Sequence, residues 1–252
     1  MNHQLLHRDG EPSLAYVASP ATDKARPTVI FMGGYRSDME GTKATWLEEQ
    51  CRARGQGYVR FDYRGHGKSA GRFVDGTIGL WLADALAICR HTVPDGPLVL
   101  VGSSMGGWIA LLAARALTRQ IKGLVGIAAA PDFTRDIYNA LDAGTRNILL
   151  HAGQISVEND YSDEPYIFTR AFFEDGEKHC ILDQMPHYPC ALRLVQGMKD
   201  NDVPWQTAFR IKNAVTAAGE VEVILVEQGD HRLSRPEDLA LIDTQIRAVS
   251  GL

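Results

Sequence analysis

The sequence predicts an α/β domain: a mostly parallel, twisted sheet with helices on both faces and a helical insertion over one sheet edge. Three observations carry this. Short apolar runs ending in glycine alternate with segments of helical spacing, as βαβ units require. A serine flanked by glycines joins one such run to the most apolar helix. One acid-rich stretch, residues 131–188, interrupts the alternation.

In chain order, Gln4–His7 and Leu14–Ala18 flank Asp9-Gly10, a turn pair, and predict a hairpin. Thr28–Met32 is a short apolar run ending in Gly33-Gly34, as expected of a buried central strand. Thr42–Arg54 places Trp46, Leu47, Gln50 and Cys51 at helical spacing and closes on Gly55. Tyr58–Phe61 predicts a strand before the glycine-rich segment Asp62–Gly71, and Leu80–His91 an amphipathic helix stopped by Pro94. Leu98–Val101 predicts a buried strand, Gly106–Leu117 an almost wholly apolar helix, and Lys122–Ala129 the next strand. Ala191–Val195 and Val221–Val226 add two strands, and Pro236–Val249 a closing helix. Right-handed crossovers between parallel strands follow from this alternation. The expected core is therefore residues 1–130 and 189–252, with 131–188 as a lid. That stretch holds eleven acids against Arg135, Arg146, Arg170 and Lys178, so it alone carries −7 and the rest of the chain +2.

Composition narrows the function classes. With 252 residues, 45% hydrophobic and 23% charged, the chain can build a substantial core and is not a disordered segment. A net charge of −5 excludes the basic footprint of a dedicated nucleic-acid binder. The longest apolar run, Trp108–Ala114, is too short to span a bilayer. The N-terminus has no export pattern, and its early Asp9 and Glu11 do not read as a transit peptide, so a cytoplasmic, bacterial location is expected. Cys51, Cys89, Cys180 and Cys190 lack any CxxC spacing and are read as thiols. No metal-ligand motif and no phosphate-loop lysine is present, so neither metal nor cofactor is expected.

The chemistry concentrates in Gly102-Ser103-Ser104-Met105-Gly106. This G-x-S-x-G pattern follows the strand LVLV and opens the helix GWIALLAARAL, the strand–turn–helix setting of a nucleophile elbow. The two glycines allow close approach of strand and helix, and the tight turn presents Ser104 at a helix N-terminus. A serine hydroxyl needs a base. After such an elbow the acid and then the histidine follow in the chain. His231 is the only one of the eight histidines late enough, just past VEVILV. LRLVQGMKDNDVPW offers Asp200 and Asp202 as the acid. Asp200 is favoured because Gly197 permits a turn that puts Asp200 at its apex. Oxyanion donors are expected at the backbone N–H of Met105 and of Tyr35, in the loop after TVIFM. Gly34 lets that loop approach substrate, and Trp108, Phe168, Phe172 and Trp205 are expected to line a substrate pocket.

These residues carry a resemblance. RFDYRGHGKS, VGSSMGGW and GMKDNDVPW resemble landmarks of the α/β-hydrolase superfamily across nearly the whole chain. More narrowly, FMGGYRSDMEGTKA, MKDNDVPW and GDHRL make residues 28–235 similar to the mitochondrial acyl-protein thioesterases, also acyl-glucuronide esterases, of its α/β-hydrolase-domain group. The chain differs from the animal proteins in having Gly33 where they have proline. The resemblance implies a triad of Ser104, Asp200 and His231 and a cofactor-free serine hydrolase. Its expected substrate is a small-molecule or acyl-protein ester or thioester. A serine peptidase, a carbon–carbon bond hydrolase, or a non-catalytic ligand-binding protein on the same scaffold are the alternatives. Reaction with an active-serine probe separates the last from the rest.

Overall fold

A computed structural model describes residues 3–158 and 165–252. The acidic residues Asp160, Asp163 and Glu164 of the inserted stretch lie outside the described residues. The elements run β1 (Gln4–Arg8), β2 (Glu11–Ser19), β3 (Thr28–Met32), α1 (Thr42–Ala53), β4 (Tyr58–Phe61), α2 (Ile78–Thr92), β5 (Leu98–Ser103), α3 (Met105–Ala116) and β6 (Ile121–Ile127). Then come α4 (Phe133–Ala140), α5 (Ala143–Ala152), β7 (Gln154–Val157), β8 (Tyr166–Thr169), α6 (Arg170–Lys178) and β9 (His187–Tyr188). The chain ends with β10 (Ala191–Gly197), α7 (Gln206–Ala214), β11 (Thr216–Ala217), β12 (Val221–Val226) and α8 (Pro236–Ser250).

Among the described residues the main sheet has eight strands in the order β1-β2-β4-β3-β5-β6-β10-β12. The β1–β2 and β2–β4 pairs are antiparallel and the others parallel. The α/β class read from the sequence is what the sheet has. Every residue of β4 and β5 is buried, as apolar runs at the centre of a parallel sheet require. One face is covered by α1 and α8. α1 buries Ala44, Leu47, Glu48 and Cys51, and α8 buries Leu239, Ile242, Ile246 and Val249, each at helical spacing. The other face carries α2, α3 and α7, with α3 buried on nearly every side.

The chain between β6 and β10 leaves the sheet. Its described residues include three helices, where the sequence suggests helices, but also an antiparallel pair of β7 and β8, while β9 pairs with β11. Its two ends are tied to each other, and its helix α6 to the core. The buried Asp132 carboxylate, from a residue at φ 60°, accepts the Ile181 and Leu182 N–H groups at 2.8 and 3.0 Å. Asp175 accepts the Gly79 N–H at the start of α2 (2.7 Å).

Two buried polar centres set stability. The fully buried Asp84 of α2 accepts Arg8 Nη1 (2.8 Å), Arg64 Nη2 (2.7 Å) and the Arg64 N–H (2.8 Å), fixing the loop after β4. Asp84→Ala leaves two guanidinium groups without their carboxylate and is expected to cost about 3–5 kcal/mol in chemical denaturation. In the same loop His66 is buried against Tyr63, Phe73 and Trp81, and desolvation pulls it down to about 4. The folded chain keeps it neutral while the unfolded chain gains a proton below about pH 6.5. Its contribution is therefore full above that pH and disappears as pH falls toward 4. Wild type should lose about 2 kcal/mol from this group between pH 7 and 5. His66→Gln should flatten that slope, and an unchanged slope contradicts the account.

Candidate active site

Parallel strands put their carboxyl ends on one sheet edge, and the loops that leave there build the site. Ser104 follows β5, the central strand. Tyr35 follows its neighbour β3, Asp200 follows β10, and His231 follows the edge strand β12.

The turn at Ser104 is tight. The residue sits at φ 55°, ψ −119°, a conformation costing a non-glycine residue on the order of 1–3 kcal/mol. It is held on both sides: its N–H donates to the Ile127 carbonyl (2.9 Å) and its own carbonyl accepts the Ala130 N–H (3.1 Å). The flanking glycines are obligatory for packing. A Cβ on Gly106 would stand 2.0 Å from the Met32 oxygen, and one on Gly102 would stand 2.1 Å from the Gly106 oxygen.

The acid and histidine meet as the sequence suggests. His231 Nδ1 lies 2.8 Å from Asp200 Oδ2, and Asp202 stands back at 4.0 Å. Close packing brings their loops together: a Cβ on Gly197 would lie 2.4 Å from the Gly229 oxygen, to which the Lys199 N–H donates (2.8 Å). The Asp200 side chain is fully buried. Its Oδ1 accepts the N–H groups of Asp202 (2.9 Å) and Val203 (2.8 Å), and Gln196 Nε2 donates to Oδ2 (2.9 Å). A carboxylate so held orients the imidazole and stabilises its protonated form. Among the described residues, Asp200, Asp202 and His231 are the group whose atoms could converge on a metal. The lone pairs of Asp200 are already taken by these donors.

Ser104 and His231 line one cavity of about 1200 Å³. Among the described residues Ser104 Oγ makes no hydrogen bond. Such serine–imidazole contacts are often long without substrate. The Tyr35 loop stands against the serine, with an added Cβ on Gly34 3.4 Å from Ser104 Cβ. Arg36 at φ 56° and a Ser37 N–H to Gly34 oxygen bond (3.1 Å) turn that loop. Among the described residues the N–H groups of Tyr35 and Met105 have no acceptor.

Of the residues expected in the pocket wall, Gly34 and Phe168 line the cavity, as Tyr35 does, and Trp108, Phe172 and Trp205 do not. Trp108 is fully buried on α3, and its indole N–H donates to the His179 carbonyl (3.1 Å), so it fastens the inserted stretch. Phe172 stacks behind Phe168 at 5.6 Å. Trp205, half-buried at the start of α7, packs edge-on to Phe209 (6.0 Å). The sequence reading missed Phe133, Ile137, Val157 and Tyr166, which line the cavity from the inserted stretch. It also missed Gln196, detectable as a polar residue in an otherwise apolar buried strand. The Tyr35 ring stacks on Phe168 (5.5 Å, 29°), and burial pushes its phenol up.

A family model described as "Serine aminopeptidase, S33" matches residues 23–200. The chain belongs to this α/β-hydrolase family. The α/β-hydrolase named palmitoyl-protein thioesterase ABHD10, mitochondrial, of Mus musculus is 38% identical over 238 residues, covering 94% of this chain and 78% of that protein. Among solved α/β-hydrolases, a putative hydrolase from Agrobacterium vitis S4 superposes with a TM-score of 0.93 at 42% identity, covering 99% and 98% of the two chains. The mouse α/β-hydrolase domain-containing protein 10 superposes with a TM-score of 0.90 at 36% identity, covering 99% and 98%. The cytoplasmic location expected above is overturned by the curated relatives, whose names are mitochondrial. Location is read from targeting segments by receptors, and the residues of a folded domain do not encode it.

The geometry separates the two aspartates. Asp200→Asn is expected to lower kcat about 10³–10⁴-fold by forcing the wrong imidazole tautomer. Asp202→Asn should stay within about threefold of wild type, since an exposed carboxylate at 4.0 Å is screened by water. Steady-state ester hydrolysis by the two purified variants checks this.

Proposed function

We propose that this chain is a serine hydrolase that cleaves acyl esters and thioesters through an acyl-serine intermediate. The observation that supports it best is the left-handed Ser104 at the mouth of α3, sharing one cavity with the Asp200-bound His231.

In the reaction, His231 takes the Ser104 proton as Oγ attacks the acyl carbonyl. The oxyanion that forms is received by the N–H groups of Tyr35 and Met105, at the positive end of α3. The imidazolium, steadied by Asp200, protonates the departing thiol or alcohol. Water then enters, gives a proton to His231, and attacks the acyl carbon. Collapse of the second tetrahedral species returns the proton to Ser104 and releases the carboxylic acid.

The palmitoyl-protein thioesterase name of the relatives and the apolar residues lining the cavity favour a long acyl chain. Phe133, Ile137, Val157, Tyr166 and Phe168 give one side of the cavity an apolar wall, and all five come from residues 131–188. This stretch acts as a lid that selects the acyl group, while the Asp38, Thr42, Lys43 and Ser234 side meets the polar leaving group. No helix among the described residues is long and apolar enough to cross a membrane.

Ser104→Ala should retain the fold by circular dichroism and lower p-nitrophenyl ester turnover about 10⁴-fold or more. Wild type should react with a fluorophosphonate probe, and the variant should not. A variant with wild-type turnover overturns the assignment, and a wild type inert to the probe favours a ligand-binding protein.

A further inference from the structure

Lys43 is the second residue of α1, the helix that follows the Tyr35 loop. Its side chain lines the cavity that holds Ser104 and His231, and its ammonium donates to the carbonyl oxygen of Arg232, the residue after His231. The His231 loop has other ties. Asp200 takes the imidazole, the Lys199 N–H donates to the Gly229 oxygen (2.8 Å), the Ser234 hydroxyl also donates to the Arg232 carbonyl (3.0 Å), and Asp230 Oδ1 accepts the Leu233 N–H at 2.9 Å, with Leu233 fully buried at φ 44°. All of these hold the loop to its own half of the sheet. Lys43 reaches it from the Tyr35 side.

An ammonium in a cavity wall is costly. It is strongly hydrated, and a lysine near the start of a surface helix ordinarily turns its charge into water. Here the charged and titratable groups facing it are Asp230 and Arg232 on the His231 loop and Asp238 on α8, with His231 in the same cavity. Desolvation outweighs the two carboxylates and pulls Lys43 down to about 8. Methionine has a similar length without this cost, so packing alone gives no reason for an amine here.

We infer that Lys43 is a positioning residue: by holding the Arg232 carbonyl with a charge-assisted hydrogen bond, it fixes the His231 imidazole relative to the Tyr35 donor across the cavity. The inference rests on the reading of Ser104 as nucleophile. Base and oxyanion donor stand on opposite halves of the sheet, and their separation must match one tetrahedral intermediate. Misplacement by a fraction of an ångström reduces the rate of the chemical step without weakening substrate binding.

The test compares wild type with Lys43→Met and Lys43→Gln, using a p-nitrophenyl ester and active sites titrated by a fluorophosphonate. Lys43→Met should lower kcat per titrated site about tenfold with KM within about twofold. Lys43→Gln, which keeps a donor, should recover part of the loss. In wild type kcat should also decline as pH rises through about 8, where the ammonium is lost, and this limb should be absent in Lys43→Met. A purely structural role would reduce the titratable fraction and leave kcat per site and its pH profile unchanged; that result overturns the inference. So does a Lys43→Gln rate no better than Lys43→Met. Should Lys43→Met not fold, the wild-type profile decides alone, and a flat kcat from pH 7 to about 9.5 counts against Lys43. Absence of fluorophosphonate labelling in wild type instead removes the Ser104 reading, so the two failures are distinct.

Discussion

The turn between β5 and α3 holds Ser104 at φ 55° while two glycines let the strand, the helix and the end of β3 press together around it. An ordinary side chain at Gly106 would drive into the backbone oxygens of Met32 and Gly33, so the helix could not begin where it does. Helix α3 in turn must be nearly all apolar, because it lies between the sheet and the inserted stretch. The positive end of its dipole then lies at Ser104, its N-cap residue. The local backbone, the buried helix and the site electrostatics are thus one constraint expressed at three scales.

The surrounding sheet converts that constraint into a site. Parallel strands deliver every loop to the same edge, so residues far apart in the chain converge without any long excursion. β3 supplies the Tyr35 loop beside the serine. β10 and β12, paired in register from Leu192–Val221 to Gly197–Val226, supply the Asp200 turn and the His231 loop next to each other. The buried polar groups follow the same economy. Asp200 accepts four donors including the imidazole, and Asp132 and Asp84 each hold a loop through backbone N–H groups, so the buried carboxylates are satisfied.

Much of the scaffold was legible in the sequence because buried parallel strands and tight turns leave strong local marks. Thr28–Met32, Tyr58–Phe61 and Val221–Val226 have the bounds that their apolar runs suggest. Gly197 suggested a turn with Asp200 at its apex, and Asp200 lies 2.8 Å from His231 where Asp202 lies at 4.0 Å. The pocket wall was less legible. An aromatic residue declares that it will be buried and leaves open against what. Trp108 bonds the inserted stretch, Phe172 sits behind Phe168, and Trp205 packs on Phe209 away from the cavity lining. Val157 and Tyr166 come from strands of four residues, too short for a period to emerge, in a stretch that read as helical. The helical spacing of Trp46, Leu47, Gln50 and Cys51 in α1 says nothing of Lys43 or Glu48. Lys43 faces the cavity, and Glu48 is buried on Arg60 (2.7 Å) and Ser19 (2.6 Å), because long-range partners decide their orientation.

Mapping where a tetrahedral phosphorus settles is the most direct measurement of the central claim: a crystal structure of the chain after reaction with a fluorophosphonate. The account predicts phosphorus bonded to Ser104 Oγ and a phosphoryl oxygen about 2.7–3.1 Å from the backbone nitrogens of both Tyr35 and Met105. His231, still bound to Asp200, should lie within hydrogen-bond reach of an oxygen on the adduct. A phosphoryl oxygen directed away from those two nitrogens, or an adduct formed on any other residue, would contradict it.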